Sequence, residues 1–375
     1  MDFTLTDDQQ SLRDLAVRIL DDATRDDAIR AFADSDRPYD DVLWKTLAET
    51  GLLGLNLSEE AGGLGLGMID LGLLLEEQGR TLAPLPLTPV VLAAWAIDAH
   101  GHAAHKGWLP RILSGDAILT LAIEEVGGID PCDPAVLADA ESNGWRLSGV
   151  KVAVPYGVQA QALLVTARTA DGPALFLVEA GTDGLAVDPQ QSTSGEPQAM
   201  LRFDNVRLSG DAVLGAAGER AAIVTALVQR AQVALSQRQV GVAAEALRRT
   251  AEYSSARIQF GKPLGSMQAV QQRAADAFID VEVMRSTALL AAWQIDEGKP
   301  QSADVATAKY WAAIGGHRVV HAAQHLHGGI GADITFPIHR YFLTAIAIGE
   351  ALGGGAPMLA AIGDAVASGS TEPLA

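Results

Sequence analysis

The residues of this chain with chemistry in them fall in a few short stretches. Near the C-terminus GEALGGG (349–355) sets one acid, Glu350, beside a run of glycines and after the apolar YFLTAIAI. A lone carboxylate in that setting reads as a candidate general base, which must lie within hydrogen-bond reach of the proton it removes. YSSARIQFGKPLGSMQ (253–268) closes a long helical stretch. In it Arg257 offers a forked guanidinium to a diphosphate, Phe260 a flat face to a purine, and Gln268 an amide at the start of the next helix. The same residues have a ligand-free explanation: Arg257 in a last helical turn offsets the dipole, Gly261 caps as C′ and Pro263 stops the helix.

QHLHGGIGAD (324–333) ends another helix in Gly328, Gly329 and Gly331, whose unhindered amides can approach a phosphate closely. No strand precedes it, so it is not a dinucleotide fingerprint, and a glycine helix stop is the commoner use. His317, His321 and His325 recur every four residues, with His327 and His339 nearby. Imidazoles at that spacing can bind zinc, but no Glu follows the first His and a three-turn ladder is too long for one ion. Histidines at a bundle interface are the better reading, and no metal site is expected. AIEEVGGIDP (122–131) carries Glu124, Glu125 and Asp130 around two glycines, without the alternating ligand spacing of a calcium loop. It is expected to be a solvated loop. No G-x-S-x-G nucleophile motif occurs.

Three kinds of segment must position these stretches. Residues 1–112 read as an N-terminal helical domain, with SLRDLAVRIL, VLWKTLAETGLL and IDLGLLLEEQG apolar at helical spacing. A glycine-rich loop (58–67) and PLPLTP (84–89) interrupt them. Residues 113–212 hold short β-leaning runs separated by Gly, Pro, Asp and Ser, which predicts a small antiparallel β-domain. Residues 213–375 return to long helical stretches (217–256, 267–296, 301–327, 336–366), a four-helix bundle. The fold class is therefore mainly α, α+β and multi-domain.

The 375 residues, 49% hydrophobic, suffice for a large core, and 46 acids against 27 bases leave a net charge of −19. Such a field repels nucleic acid and anionic lipid, which makes both poor partners, although a local basic pocket can still hold an anion. One cysteine, Cys132, excludes an internal disulfide and a cysteine-based zinc site. The start, MDFTLTDDQQ, has no basic or apolar leader, and no apolar run reaches the ~18 residues a membrane span needs. A soluble, cytoplasmic protein is expected.

The order of these parts, F-x-L-T-x-x-Q (3–9), FDNVRL (203–208), Y-x-x-x-R-x-Q-F-G-K-P (253–263), QAVQ (268–271) and HGGIG (327–331) together resemble an acyl-CoA dehydrogenase over essentially the whole chain. The resemblance implies a flavin enzyme that desaturates acyl-CoA thioesters with a carboxylate base and FAD, and hands electrons to an electron-transfer flavoprotein-type acceptor. It also implies that Arg257, Gln259, Phe260, Gln268, His325, Gly328 and Gly329 hold the adenosine diphosphate of a neighbouring subunit's FAD. His325 stands where such sequences usually carry glutamine, with Gln324 one place earlier.

Other departures concern the flavin and the base. The T-E-P-x-x-G-S-D loop of the family reads EEVGGIDP here, which sets the carboxylate of Asp130 where a phosphate-binding serine is expected. The strand that usually backs the flavin reads V-P-Y (154–156). One usual base position, fifteen residues after Pro337, is Leu352; the other, thirty residues before Gly261, is Ala231. Neither side chain accepts a proton. This combination resembles the base-less subunit of heteromeric (α2β2) actinobacterial acyl-CoA dehydrogenases of steroid side-chain degradation. It implies a homologous partner subunit that carries the base, and no catalytic residue in this chain. One alternative is a self-sufficient dehydrogenase with a relocated base, for which Glu350 is the candidate. On a continuous helix, however, Glu350 would be turned about 200° from Leu352. A non-flavin scaffold is the other alternative, and the Arg257–Phe260 element speaks against it.

Overall fold

The computed structural model describes residues 4–128 and 130–369; Phe3 of the opening motif and Ile129 of the acidic glycine turn lie outside them. Seven helices come first: α1 (Asp7–Ala23), α2 (Asp26–Ala33), α3 (Asp41–Glu49), α4 (Met68–Thr81), α5 (Leu87–His100), α6 (Ala103–Lys106) and α7 (Leu109–Leu113). Seven strands follow: β1 (Leu119–Ala122), β2 (Leu137–Glu141), β3 (Gly144–Pro155), β4 (Ala162–Thr169), β5 (Gly172–Glu179), β6 (Leu185–Gln191) and β7 (Pro197–Ser209). Then come α8 (Arg220–Ala256), the short strands β8 (Ile258–Gln259) and β9 (Lys262–Pro263), α9 (Gln268–Asp296), α10 (Ser302–His327), α11 (Ile338–Glu350) and α12 (Gly355–Ala367). By compactness the chain forms two units. One is Met1–Asp36, Met68–Ala83 and Gln232–Ala375; the other is Arg37–Gly67 and Pro84–Ala231.

In the first unit α1 starts at a capping box: Gln9 N donates to Thr6 Oγ1 (3.2 Å) and Thr6 N to Gln9 Oε1 (3.1 Å). Helix α4 crosses α8 where both carry glycine. A Cβ at Gly241 would sit 1.8 Å from Glu76 O, and one at Gly79 would sit 2.0 Å from Arg238 O, so the backbones touch directly. Two apolar clusters flank α8 and α10. Val242, Ala246, Val320, Tyr341 and Ile348 form one, and Val240, Ala243, Val281, Met284 and Val319 form the other. Buried Gln239 ties them by donating to Ala312 O and Ala345 O, each at 3.1 Å.

The fourth stretch of the bundle is two helices, not one. After Glu350 the chain turns extended at Ala351 (φ −61°, ψ 135°), and Leu352 and Gly353 take φ of 53° and 105°. Two buried donors fix this break. Lys309 Nζ, with no solvent exposure, donates to Ile348 O (3.0 Å) and Gly349 O (2.6 Å), and Gln232 Nε2 donates to Leu352 O (3.0 Å). Carbonyls that a longer α11 would bond internally are thus satisfied from other helices. Counted through the break, Ile338–Ala367 is long and apolar enough to cross a membrane, with a mean hydropathy of 1.5 in its most apolar window. In the sequence the apolar run breaks at Glu350 and the glycines after it, which hides this reach. Its inner face, Ile338, Tyr341, Ala345 and Ile348, lies in the core.

In the second unit the strands make one sheet in the order β1-β4-β2-β3-β7-β6, with β5 on β4. It is mixed where a purely antiparallel sheet was expected, because β1 and β2 both pair parallel with β4. Strands β2 (LADAE) and β6 (LAVDPQQ) escape sequence reading: their Ala, Asp, Gln and Pro content carries little β signal. Helix α5 is buried on nearly every side, as its apolar composition all round requires.

Replacing Lys309 by methionine keeps the stem but strands two buried carbonyls. Lys309→Met is expected to lower unfolding stability by about 1–3 kcal/mol, read as a reduced urea midpoint at unchanged slope.

Candidate functional site

The residues expected to hold an adenosine diphosphate lie at one end of the bundle, where α8 and α10 finish and α9 begins. Helix α8 ends at Ala256, and Arg257 is the first residue beyond it, its N–H donating to Tyr253 O (2.8 Å). The chain does not stop there with a glycine cap, as the ligand-free reading supposed. It forms a two-residue hairpin in which β8 pairs with β9, so Pro263 is a strand residue rather than a helix stop. Phe260 and Gly261 make the turn with φ of 54° and 76°. Positive φ at both central residues gives the turn whose twist matches a hairpin. Glycine takes it freely; an aromatic residue does so at a cost of about 1–2 kcal/mol. Phe260 nevertheless stands 89% exposed at the tip. A strained, fully presented aromatic face is an arrangement that packing alone does not reward.

The hairpin is tied back to its helices. Leu264 N donates to Arg257 O (2.9 Å), and Gln271 Nε2 donates to Gly265 O (3.0 Å). Gln268, exposed, is the first residue of α9, and its N-cap Met267 supplies no side-chain acceptor to the helix N-terminus. Arg257 is exposed and has no ion-pair partner among the described residues. Gln259 is exposed, its side-chain amide donating to Ile258 O (3.0 Å).

The second element meets the first here. His325, exposed on the last turn of α10, contacts the Arg273 guanidinium of α9 through Nδ1. Gly328 caps α10 at φ 65°, ψ −141°, a conformation essentially confined to glycine. Gly328 and Gly329 are exposed, and an added Cβ on either would meet nothing within 4 Å. A free guanidinium, an open glycine turn, an uncapped helix start and a bare aromatic face suit an anionic diphosphate carrying a purine. Beside them a groove of about 500 Å³ between α9 and α10 is lined by Arg273, Asp276, Ile279, Asp280, Arg318 and His321.

The histidine ladder is exposed but runs along the rims where α10 meets its neighbours: His325 contacts Arg273 of α9 and His321 contacts Phe342 of α11. His317 meets His321 edge-on (4.3 Å), and His321 meets Phe342 (5.0 Å). His339 Nδ1 lies 2.7 Å from Phe336 O. Among the described residues no three His, Cys, Asp or Glu side chains are grouped to hold a metal ion.

The positions expected to carry a base are apolar in the folded chain too. Ala231 is buried in α8. Leu352 lies in the α11–α12 break, and Glu350 is the last residue of α11, exposed, with its carboxylate over Gly354. The rotation argued for a continuous helix therefore does not apply, since the chain has left the helix before residue 352.

In the sheet unit the acidic glycine turn is held together by its own carboxylates, and is not simply solvated. Glu125, nearly buried, accepts from Lys151 Nζ (2.7 Å), Ala135 N (2.5 Å) and Val136 N (3.0 Å). Lys151 also donates to Ile123 O and Thr166 Oγ1, each at 2.9 Å. Burial pushes its ammonium down to about 8, against the pull of Glu125. Asp130 Oδ1 accepts from Cys132 N (2.8 Å), and Asp133 pairs with Arg168 (2.9 Å). Tyr156 is buried at φ 51° at the end of the V-P-Y segment. Sequence reading missed the Lys151–Glu125 pair, whose members stand 26 residues apart and on different elements.

Two family models match the chain: the acyl-CoA dehydrogenase N-terminal domain over residues 6–116 and its C-terminal domain over residues 216–366. Acyl-CoA dehydrogenase FadE27 of Mycobacterium tuberculosis is 38% identical over 373 residues, covering 97% of this chain and 98% of the relative. Among solved structures, a variant of the Tcur3481–Tcur3483 steroid acyl-CoA dehydrogenase has a TM-score of 0.92 at 42% identity, covering 98% of this chain and all of the other. The ChsE4–ChsE5 complex of M. tuberculosis has a TM-score of 0.92 at 37% identity, with both chains covered in full.

A true general base contributes about 10²–10⁴-fold to turnover. In an assembled, active enzyme Glu350→Gln is expected to leave kcat within about threefold of the parent; a loss of about a hundredfold would make Glu350 the base.

Proposed function

The chain belongs to the acyl-CoA dehydrogenase family of FAD-dependent oxidoreductases acting on CH–CH bonds, and we propose that it is the subunit that clamps a partner's FAD and brings no catalytic base. The observation that carries this is a contrast within one chain. The end of the bundle presents Arg257 and Phe260 exposed beside the open Gly328–Gly329 turn, while Leu352 and Ala231 stand where the family resemblance leads one to expect the carboxylate.

In this reading FAD, when bound, supplies the acceptor for the hydride that leaves the acyl-CoA. Every contribution of this chain is to hold it. The Arg257 guanidinium pairs with the diphosphate by charge-assisted hydrogen bonds, aided by the close approach that the side-chain-free Gly328–Gly329 turn allows and by the uncapped start of α9. Phe260 covers the purine, and Gln259, Gln268 and His325 supply polar contacts around it. The partner is a homologous subunit that contributes the carboxylate removing the α-proton and the pocket for the flavin ring. The substrate class that fits the likeness to a steroid acyl-CoA dehydrogenase is a bulky, steroid-derived acyl-CoA thioester. An electron-transfer flavoprotein-type acceptor takes the electrons. A cytoplasmic location, without nucleic acid or membrane as partner, agrees with the net charge of −19.

A charge-assisted hydrogen bond contributes about 1.5–3 kcal/mol, which is roughly 10–100-fold in affinity. Arg257→Ala in the assembled complex is expected to weaken FAD binding by that factor, measured by flavin fluorescence titration. Unchanged affinity would favour the scaffold reading.

A further inference from the structure

The two halves of the clamp are joined by a pair of rings. Tyr253 lies one turn before Arg257 on α8, and Arg257 N donates to its carbonyl. His327, the last residue of α10, immediately precedes Gly328. The rings stack at 4.4 Å with 22° between their planes, and Phe336 closes on both, 6.3 Å from Tyr253 and 5.3 Å from His327. Tyr253 Oη also donates to His327 O (3.4 Å), a contact across 74 residues of sequence. The stack therefore ties the end of α8, beside Arg257, to the end of α10, beside the Gly328–Gly329 turn.

The imidazole is built to work uncharged. His327 is 4% exposed, and its Nδ1 lies 2.8 Å from Ala323 O, a carbonyl that can only accept. Nδ1 therefore carries the hydrogen, and Nε2 is a bare acceptor, buried with no donor among the described residues. The elements packed on it offer Tyr253 and Phe336, and among the described residues no carboxylate that offsets a charge. Arg273 and His325 lie on the exposed side. Burial pushes the imidazole below its ordinary 6.5, and only the Ala323 carbonyl opposes that.

We propose that Tyr253 and His327 are positioning residues of the FAD clamp, and that the clamp holds its register only while the His327 ring is neutral. This rests on the clamping role proposed above. The direction follows from linkage. Above 6.5 the ring is neutral whether stacked or released. As pH falls below 6.5 the released ring takes a proton that the stacked one refuses, so the closed clamp loses stability.

FAD affinity of the assembled complex, titrated by flavin fluorescence between about pH 8 and pH 5, tests this. Tyr253→Leu should weaken FAD binding about tenfold or more at pH 8, and Tyr253→Phe, which keeps the ring, should recover most of it. In the parent complex Kd should rise as pH drops below 6.5, and in His327→Phe that rise should vanish whatever the starting affinity. Parent-like affinity in Tyr253→Leu, or an unaltered pH profile in His327→Phe, would overturn the proposal. If Tyr253→Leu does not assemble, the pH comparison decides. Arg257→Ala separates the two levels: if it too leaves Kd unchanged, the clamping role itself fails, and if it alone weakens binding, only the positioning role fails.

Discussion

A buried lysine decides where the last long helix of the bundle stops. Lys309 takes the carbonyls of Ile348 and Gly349, so α11 ends at Glu350 and the chain passes through an extended Ala351 and a left-handed Leu352 before α12. Gln232 then pins Leu352 by its own carbonyl. Once those donors are in place, the position fifteen residues beyond Pro337, where the family resemblance leads one to expect a base, is a leucine anchored by its carbonyl in a helix break, and Glu350 is exposed. In the proposed reading, the packing of the bundle thus sets an apolar residue at that position and leaves the nearest carboxylate, Glu350, exposed at the end of α11.

The other end of the same bundle is built in the opposite sense. There polar and aromatic groups are left outward and open, at the expense of a left-handed phenylalanine and a glycine-only turn. Strain kept at an exposed site, with no core contact to repay it, is the physical mark of a surface shaped for something else. The sheet unit contrasts again. Its acidic turn uses its carboxylates internally, Glu125 on Lys151 and two amides, and Asp130 on the Cys132 amide. That turn is organised to stay folded, with an acid where a phosphate-binding hydroxyl is expected.

The helix ends that carry these groups are legible in the chain because their signals are local. Arg257, Phe260, Gly328 and Gly329 stand at helix ends, and helix ends are written in short motifs. What the motifs could not convey was backbone handedness. Gly261 after a helix reads as a cap, and only the pairing of β8 with β9 reveals a hairpin with Phe260 in a conformation rarely used by aromatic residues. Leu352 was missed in the same way, since nothing in its side chain announces a positive φ. Contacts between distant residues were also beyond reach: Lys151 with Glu125, Lys309 with Ile348, and Tyr253 with His327 each join residues that carry no mutual periodicity. The α-β-α order of segments was readable, whereas the parallel pairing of β1 and β2 with β4 was not, because pairing direction leaves no mark on a single strand.

If, as proposed, the chain clamps another subunit's cofactor and brings no base, it should be inert alone. The most direct measurement is the visible absorbance of the purified chain, expressed by itself and together with its homologous partner. The account predicts a colourless, inactive protein alone, and flavin absorbance with acyl-CoA dehydrogenase activity in the co-expressed complex. A yellow, active homo-oligomer of this chain would contradict it.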